Sequence, residues 1–160
     1  MGGSGTSKHP ALIQGQPPED YAGDVTVDEA WRVLLEDKDS VLIDVRTNAE
    51  WSFVGVPDTS ALGKELFCIE WQTFPTMNVN EEFTATVAQA VKEAGVSEDA
   101  NLFFLCRSGV RSRSAAVAMT AVGFKAAHNI AGGFEGDLDE ERHRGRSNGW
   151  KAAGLPWRQN

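Results

Sequence analysis

Two stretches of the chain are compact, largely apolar runs, "SVLIDVR" from Ser40, rich in β-branched residues, and "NLFFLC" from Asn101, and a third short stretch, "AHNIA" from Ala127, also reads as a strand. Runs of this length, closed by turn-forming or polar residues, predict strands buried on both faces. Other segments carry a helical rhythm. "TVDE" has the form of a capping box, with Thr26 as N-cap and Glu29 three residues on, and predicts a short helix that buries Trp31, Leu34 and Leu35. Between about Asn80 and Ala94, Phe83, Val87, Ala90 and Val91 share one face, and Gly95 supplies the stop. "RSRSAAVAMTAV", from Arg111, predicts a helix with Val117 and Thr120–Ala121 turned inward and Gly123 at its end, and "WKAAGLPW" predicts a short terminal helix. The segment Thr47–Asn78 is irregular and aromatic-rich, with at most a short helix near Ala49–Phe53. A connection this long in a compact domain often carries function. Continuous apolar strands alternating with helices imply an α/β protein with a parallel sheet covered on both sides.

Bulk composition narrows the partners. The chain has 160 residues, 41% of them hydrophobic, with no internal repeat. Residues 1–20, rich in Gly, Ser and Pro, predict a flexible N-terminal tail or in part a cloning scar, leaving 21–160 as a single domain. A net charge of −8 argues against nucleic acid and against a polybasic membrane anchor. No stretch has the length of a secretory signal or a spanning helix, so the expectation is a cytoplasmic protein without membrane association. The two cysteines, Cys68 and Cys106, are too few for a disulfide framework and predict free thiols in a reducing compartment.

Cys106 stands where the second apolar run stops, followed by Arg107, Ser108, Gly109, Val110, Arg111 and Ser112. At the carboxyl end of a parallel strand, just before a helix, free amide N–H groups and the helix dipole favour an anion. Gly109 allows the backbone to bend so that several N–H groups converge, and Arg107 and Arg111 add permanent charge. A thiol in such a nest ionises far more readily than a free cysteine, whose pKa is about 8.5. The alternative is a small buried hydrophobe. For Cys68, set in "LFCIEW" without a glycine loop, core packing is the expectation, with a redox role beside Cys106 as the alternative. Arg113 reads as an outward helix charge. His9, His128 and His143 lack metal-ligand spacing, and His128 reads as a satisfied core or edge residue. No metal or organic cofactor is expected.

Spacing separates two thiolate chemistries. Cysteine phosphatases wrap phosphate with one more residue between Cys and Arg than this chain has; here the position one further on is Ser112. The tighter ring suits a single sulfur atom. "LCRSGVRS" resembles the active-site loop of the rhodanese (sulfurtransferase) family, "VLIDVRTNAEW" its Asp-Val-Arg strand and turn, and "GFKAAHNIAGGFEG" the strand leading to its Gly-Gly segment. The resemblance implies a rhodanese-like three-layer α/β/α domain with a central five-stranded parallel sheet. It implies that Cys106 takes a sulfane sulfur from a small anionic donor such as thiosulfate. The resulting persulfide would pass that sulfur to cyanide, a thiol or a protein acceptor. The same resemblance assigns the loop amides from Arg107 to Ser112 to cradling the persulfide, and Arg107 and Arg111 to attracting the donor. Asp44 and Arg46 would stand behind the loop, with Asp44 accepting hydrogen bonds that brace it, and Glu50 and Trp51 would pack a structural turn. Phe134 either walls the pocket or belongs to the core. The chain departs from the family in "VGVPDTSALG", which lacks the usual histidine, and in residues 137–149, which read as a solvated loop or, alternatively, a lid or partner-docking element. Two other functions stay open: a carrier or interaction module without turnover, and a phosphatase or arsenate reductase.

Overall fold

The computed structural model describes residues 20–159, so the expected tail lies outside the described residues but for Asp20. The three stretches form strands β2 (Val41–Asp44), β7 (Leu102–Leu105) and β8 (Ala127–Ile130), every residue of them buried. Two short strands complete the sheet: β1 (Gly23–Val25) and β4 (Phe67–Cys68). The five run in the order β1-β8-β7-β2-β4, and every pair is parallel. Asp44 pairs in register with Leu105 on one side and Cys68 on the other, so three carboxyl ends finish level. Cys106 leaves the sheet at that rim.

Alternate residues of each strand feed two separate cores, as the pleat requires. Val41, Ile43, Leu102 and Phe104 face helices α3 (Phe83–Glu93) and α4 (Val110–Ala121). Leu42, Phe103, Leu105 and Ile130 face helix α1 (Val27–Glu36) and the buried Trp150. Thr26 and Glu29 close the expected capping box of α1, and Thr47 with Glu50 forms a second one on α2 (Asn48–Phe53). The layers are helix, sheet, helix, as expected from uninterrupted apolar strands. No helix among the described residues is long and apolar enough to cross a membrane.

Several local expectations are corrected. In α1 the buried face is Val27, Ala30, Val33 and Leu34; Leu35 is 55% exposed, one position out of phase. In α4 the buried positions are Ser112, Ala115, Ala116 and Met119, while Val117 and Thr120 are half-buried and Ala121 is exposed. This helix is nearly as apolar outside as inside, so hydrophobicity alone does not reveal its phase; close approach to β7 and β8 selects the small side chains. Helix α3 starts at Phe83, later than expected. The segment from Thr47 to Asn78 holds more than one helix: it also supplies β3 (Val56–Pro57), edge strand β4, and the hairpin of β5 (Gln72–Thr73) and β6 (Asn78–Val79). The C-terminal helix does not form. Gly154 and Pro156 limit it to turns, and β9 (Trp157–Arg158) pairs antiparallel with β3. Cys68 is exposed on the sheet edge and does not pack in the core.

The α4 assignment predicts opposite outcomes for two alanines. Ala115→Leu should overpack the helix–sheet contact and destabilise the protein by about 1–3 kcal/mol, whereas Ala121→Leu should stay within about 0.5 kcal/mol of the parent. Urea unfolding midpoints of the two variants measure the difference.

Candidate active site

Strand β7 delivers Cys106 to the rim, and Gly109, at φ +109°, turns the chain into α4. Between them the loop folds around the sulfur. The N–H of Gly109 donates to Cys106 Sγ at 3.1 Å, and the Ser112 hydroxyl lies 3.2 Å from the same atom. The Cys106 side chain is buried, with 1% exposure, beside the apolar layer under α4, but its sulfur faces these donors. Of the loop residues expected to cradle it, Gly109 and Ser112 make contacts with Sγ; Ser108 and Val110 shape the turn, with Val110 75% exposed.

The loop is held from behind by its own carbonyl oxygens. Phe134 N–H donates to Cys106 O at 2.8 Å, and the N–H groups of Glu135 and Gly136 donate to Arg107 O at 3.0 and 3.1 Å. With these oxygens drawn toward the Gly132–Gly136 turn, the loop can aim an N–H inward. Gly133 makes the approach possible: its φ is +68°, and a Cβ there would lie 2.5 Å from Arg107 O.

Asp44 and Arg46, both fully buried, form a bidentate pair with contacts of 2.9 and 2.7 Å. The second guanidinium nitrogen of that pair also donates to Gly55 O at 2.8 Å. The hydrogen bonds Asp44 accepts come from Arg46 and not from the Cys106 loop, which corrects the bracing expected of it. Support reaches the loop indirectly. The Arg46 guanidinium lies over the Phe134 ring at 4.2 Å, and Phe134 holds Cys106 O. Buried Nη1 of Arg46 has no hydrogen-bond partner among the described residues. Phe134, with 0% exposure, belongs to the core.

Glu50 does more than pack a turn. Its carboxylate grips Arg111 at 2.7 and 2.9 Å across 61 residues of sequence. Burial opposes ionisation of Glu50, but hydrogen bonds from Arg111 and the Thr47 backbone, with the Arg111 charge, outweigh it and lower the pKa from 4.5 to about 2. Burial likewise works against the charged form of Arg111, and Glu50 overcomes it, raising the pKa. Arg111 is therefore half of an ion pair, and its charge is compensated. Arg107 is exposed and has no ion pair among the described residues. Both arginines line a groove of about 510 Å³ whose rim carries Phe53, Phe74 and Met77. A larger hollow of about 610 Å³, bordered by Trp51, Cys68 and Arg158, contains no residue of the Cys106 loop.

Cys68 is open to solvent by area, yet neighbouring chain crowds its sulfur. That crowding, with the Asp44 carboxylate, pushes its pKa up to about 12, so it is a poor nucleophile. Arg113 is exposed and lies 5.6 Å from the Tyr21 ring centroid. His128 is buried, 2.9 Å from Asn101 Oδ1 and stacked on Phe103, the satisfied core histidine expected. Residues 137–149 form neither helix nor strand, and most are exposed. Within them Asp139, Glu141 and His143 bring ligand-type atoms within 4.8 Å of one another, a cluster the spacing did not flag. Arg146 already supplies a cation there, at 3.7 and 3.0 Å from the two carboxylates.

Against known proteins, the sequence matches the family described as the STR4 middle domain over residues 22–160. It is 36% identical over 129 residues to the uncharacterized protein RP600 homolog of Rickettsia rickettsii, spanning 81% of this chain and 91% of that protein. The crystal structure of Rv0390 from M. tuberculosis superimposes with a TM-score of 0.75 at 46% identity, covering 88% of this chain and 99% of that one. The polysulfide-sulfur transferase homodimer from Wolinella succinogenes shares the fold, with a TM-score of 0.55 at 20% identity over 86% of this chain and 78% of that one. The three-layer arrangement around a five-stranded parallel sheet is the rhodanese-like fold.

Two measurements test this geometry. Gly133→Ala should push Arg107 O away, cost about 1–3 kcal/mol of stability and lower Cys106 reactivity toward a small alkylating agent. The Glu50–Arg111 pair should stabilise the fold fully above about pH 4.5 and lose that contribution as pH falls toward 2, because the folded carboxyl titrates below the unfolded one. Glu50→Gln should remove this part of the acid slope, on the order of 1–2 kcal/mol, in urea titrations across that range.

Proposed function

Because this chain belongs to the STR4 middle domain family and holds a cysteine sulfur inside a tight strand–loop–helix turn, we propose that it is a sulfurtransferase working through a persulfide on Cys106. The single observation that carries this reading is the Gly109 N–H and Ser112 hydroxyl placed 3.1 and 3.2 Å from Cys106 Sγ. Those donors favour negative charge on sulfur, and the four-residue spacing to Arg111 leaves a ring too small to wrap phosphate.

As a thiolate, Cys106 attacks the outer sulfur of an anionic donor such as thiosulfate. A new S–S bond forms, the donor's own S–S bond breaks, and sulfite leaves with the electron pair. A nucleophilic acceptor then attacks the outer sulfur of the persulfide and returns the electron pair to Cys106. With cyanide the product is thiocyanate. Arg107 attracts the donor anion at the mouth of the groove. Arg111, paired with Glu50, shapes the wall and holds α2 against the loop. Neither step draws on a metal or organic cofactor. A free thiol at this site suits a reducing compartment such as the cytoplasm.

A second reading concerns the acceptor. Phe53 and Phe74 are 80% and 62% exposed, and with Met77 they border the groove beside Arg107. Large exposed apolar side chains around a reactive centre favour a protein as acceptor. On that reading the domain is a carrier, and its persulfide is slow to discharge to cyanide or small thiols.

After thiosulfate treatment the protein should gain the mass of one sulfur atom. Cys106→Ser should abolish the adduct and Cys68→Ser should retain it; an adduct surviving in Cys106→Ser would reject the site. Arg107→Ala should raise the KM for thiosulfate several-fold, with the gap narrowing at high salt. Single-turnover discharge of the labelled persulfide into cyanide separates turnover from carriage.

A further inference from the structure

Ser112 faces two acceptors with one proton. Its oxygen is 2.5 Å from Asn129 Oδ1 and 3.2 Å from Cys106 Sγ. All three residues are buried: Ser112 at 0%, Cys106 at 1% and Asn129 at 4% exposure. The orientation of the Asn129 amide is fixed from its far side. Asn129 Nδ2 donates to Asp24 Oδ1 at 3.0 Å, and a carboxylate only accepts, so Oδ1 must be the atom that meets Ser112. Tyr21 donates its hydroxyl to the same Asp24 oxygen at 2.7 Å. A continuous polar chain therefore runs from the exposed Asp24 on β1, through Asn129 on β8, to the sulfur on the far side of α4's first turn.

Resting on the reading of Cys106 as the nucleophile, we infer that Asn129, locked by Asp24, is a positioning residue that controls where the Ser112 proton points. While Cys106 is a thiol, Ser112 donates to the carbonyl oxygen of Asn129, and its lone pair accepts the S–H. When Cys106 ionises, its proton leaves to solvent and the Ser112 O–H rotates onto the sulfur. Asn129 Oδ1 then gives up that donor. Apart from the proton Cys106 releases, no member of the chain gains or loses one; the hydroxyl changes direction. Asn129 thus opposes ionisation, Ser112 favours it, and the balance between them sets how much charge the sulfur carries before donor arrives.

Of the charged groups near the sulfur, Arg111 acts on Cys106 electrostatically, and no substitution in the test touches it. Arg111 is paired with Glu50, Asp44 with Arg46, and Arg107 stands at the mouth. Glu135 meets the loop through its main chain, and Arg113 lies by Tyr21. Substitution at Asn129 or Ser112 removes none of them.

The test follows the Cys106 Cβ resonance through a pH titration of [3-13C]cysteine-labelled protein, with Cys68→Ser to remove the second signal. Ser112→Ala should move the Cys106 midpoint up and Asn129→Leu should move it down, each by about half a pH unit or more. Loss of packing at two adjacent buried sites has no reason to shift the midpoint in opposite directions. Shifts in the same direction, or no shift, overturn the proposal. A second measurement needs no substitution at the relay: the side-chain amide resonances of Asn129 should titrate with the same midpoint as Cys106, since its oxygen loses a donor at that point. A flat Asn129 profile while Cys106 titrates would equally refute it. Both readouts concern the thiol alone, so they stand apart from the thiosulfate mass measurement that tests sulfur transfer.

Discussion

The whole rim of the sheet depends on where two carbonyl oxygens point. Cys106 O and Arg107 O are drawn backward by three N–H groups of the Gly132–Gly136 turn, which fixes the start of the loop, and the next peptide unit brings the Gly109 N–H onto the sulfur. Buried carbonyls that lost those partners would cost about 1–3 kcal/mol each and would turn inward to find replacements, toward the Cys106 sulfur. A loop of this size has little stiffness of its own. Its shape is imposed by the neighbouring turn, and that turn can come close enough only because Gly133 has no Cβ.

Charge is handled by the same economy of placement. Two ion pairs surround the loop, Asp44–Arg46 fully buried and Glu50–Arg111 partly so. Pairing with Glu50 offsets the Arg111 charge, which still interacts with Cys106. Buried pairs of this kind contribute modestly to stability, but breaking one leaves an uncompensated charge. Here they also join elements: Glu50 ties α2 to α4, and Arg46 ties β2 through Gly55 O and the Phe134 ring to the turn behind Cys106. Arg107 is left as the exposed cation of the loop, with no ion pair among the described residues.

Much of this was readable in the sequence, and the parts that were not share a cause. Strand β7 announces itself because both faces are buried and nothing polar interrupts it, and β2 carries a polar residue only at its end. Cys106, Gly109 and Ser112 are close in sequence, so their chemistry is local and legible. The partner of Arg111 lies 61 residues away and carries no mark beyond its charge. Asn129 sits in a strand that reads only as buried, though a polar side chain amid "AHNIA" was itself a hint that something nearby needed a hydrogen bond. The phase of α4 failed because alanine-rich helices offer little contrast between faces. Strands β1, β4 and β9 are only two or three residues long, below the length at which periodicity carries information.

The loop between Gly136 and Gly149 is stapled at its base. Asp137 N–H donates to Asn148 Oδ1 at 2.8 Å, Asn148 Nδ2 returns to Asp137 at 3.1 Å, and Trp150 N–H anchors to Gly133 O at 2.8 Å. With both feet pinned, the span between them can lengthen, shorten or change composition at a closure cost that grows only logarithmically. Evolution, or an engineer grafting a reporter peptide, can rewrite this arch freely while the machinery beneath keeps its shape.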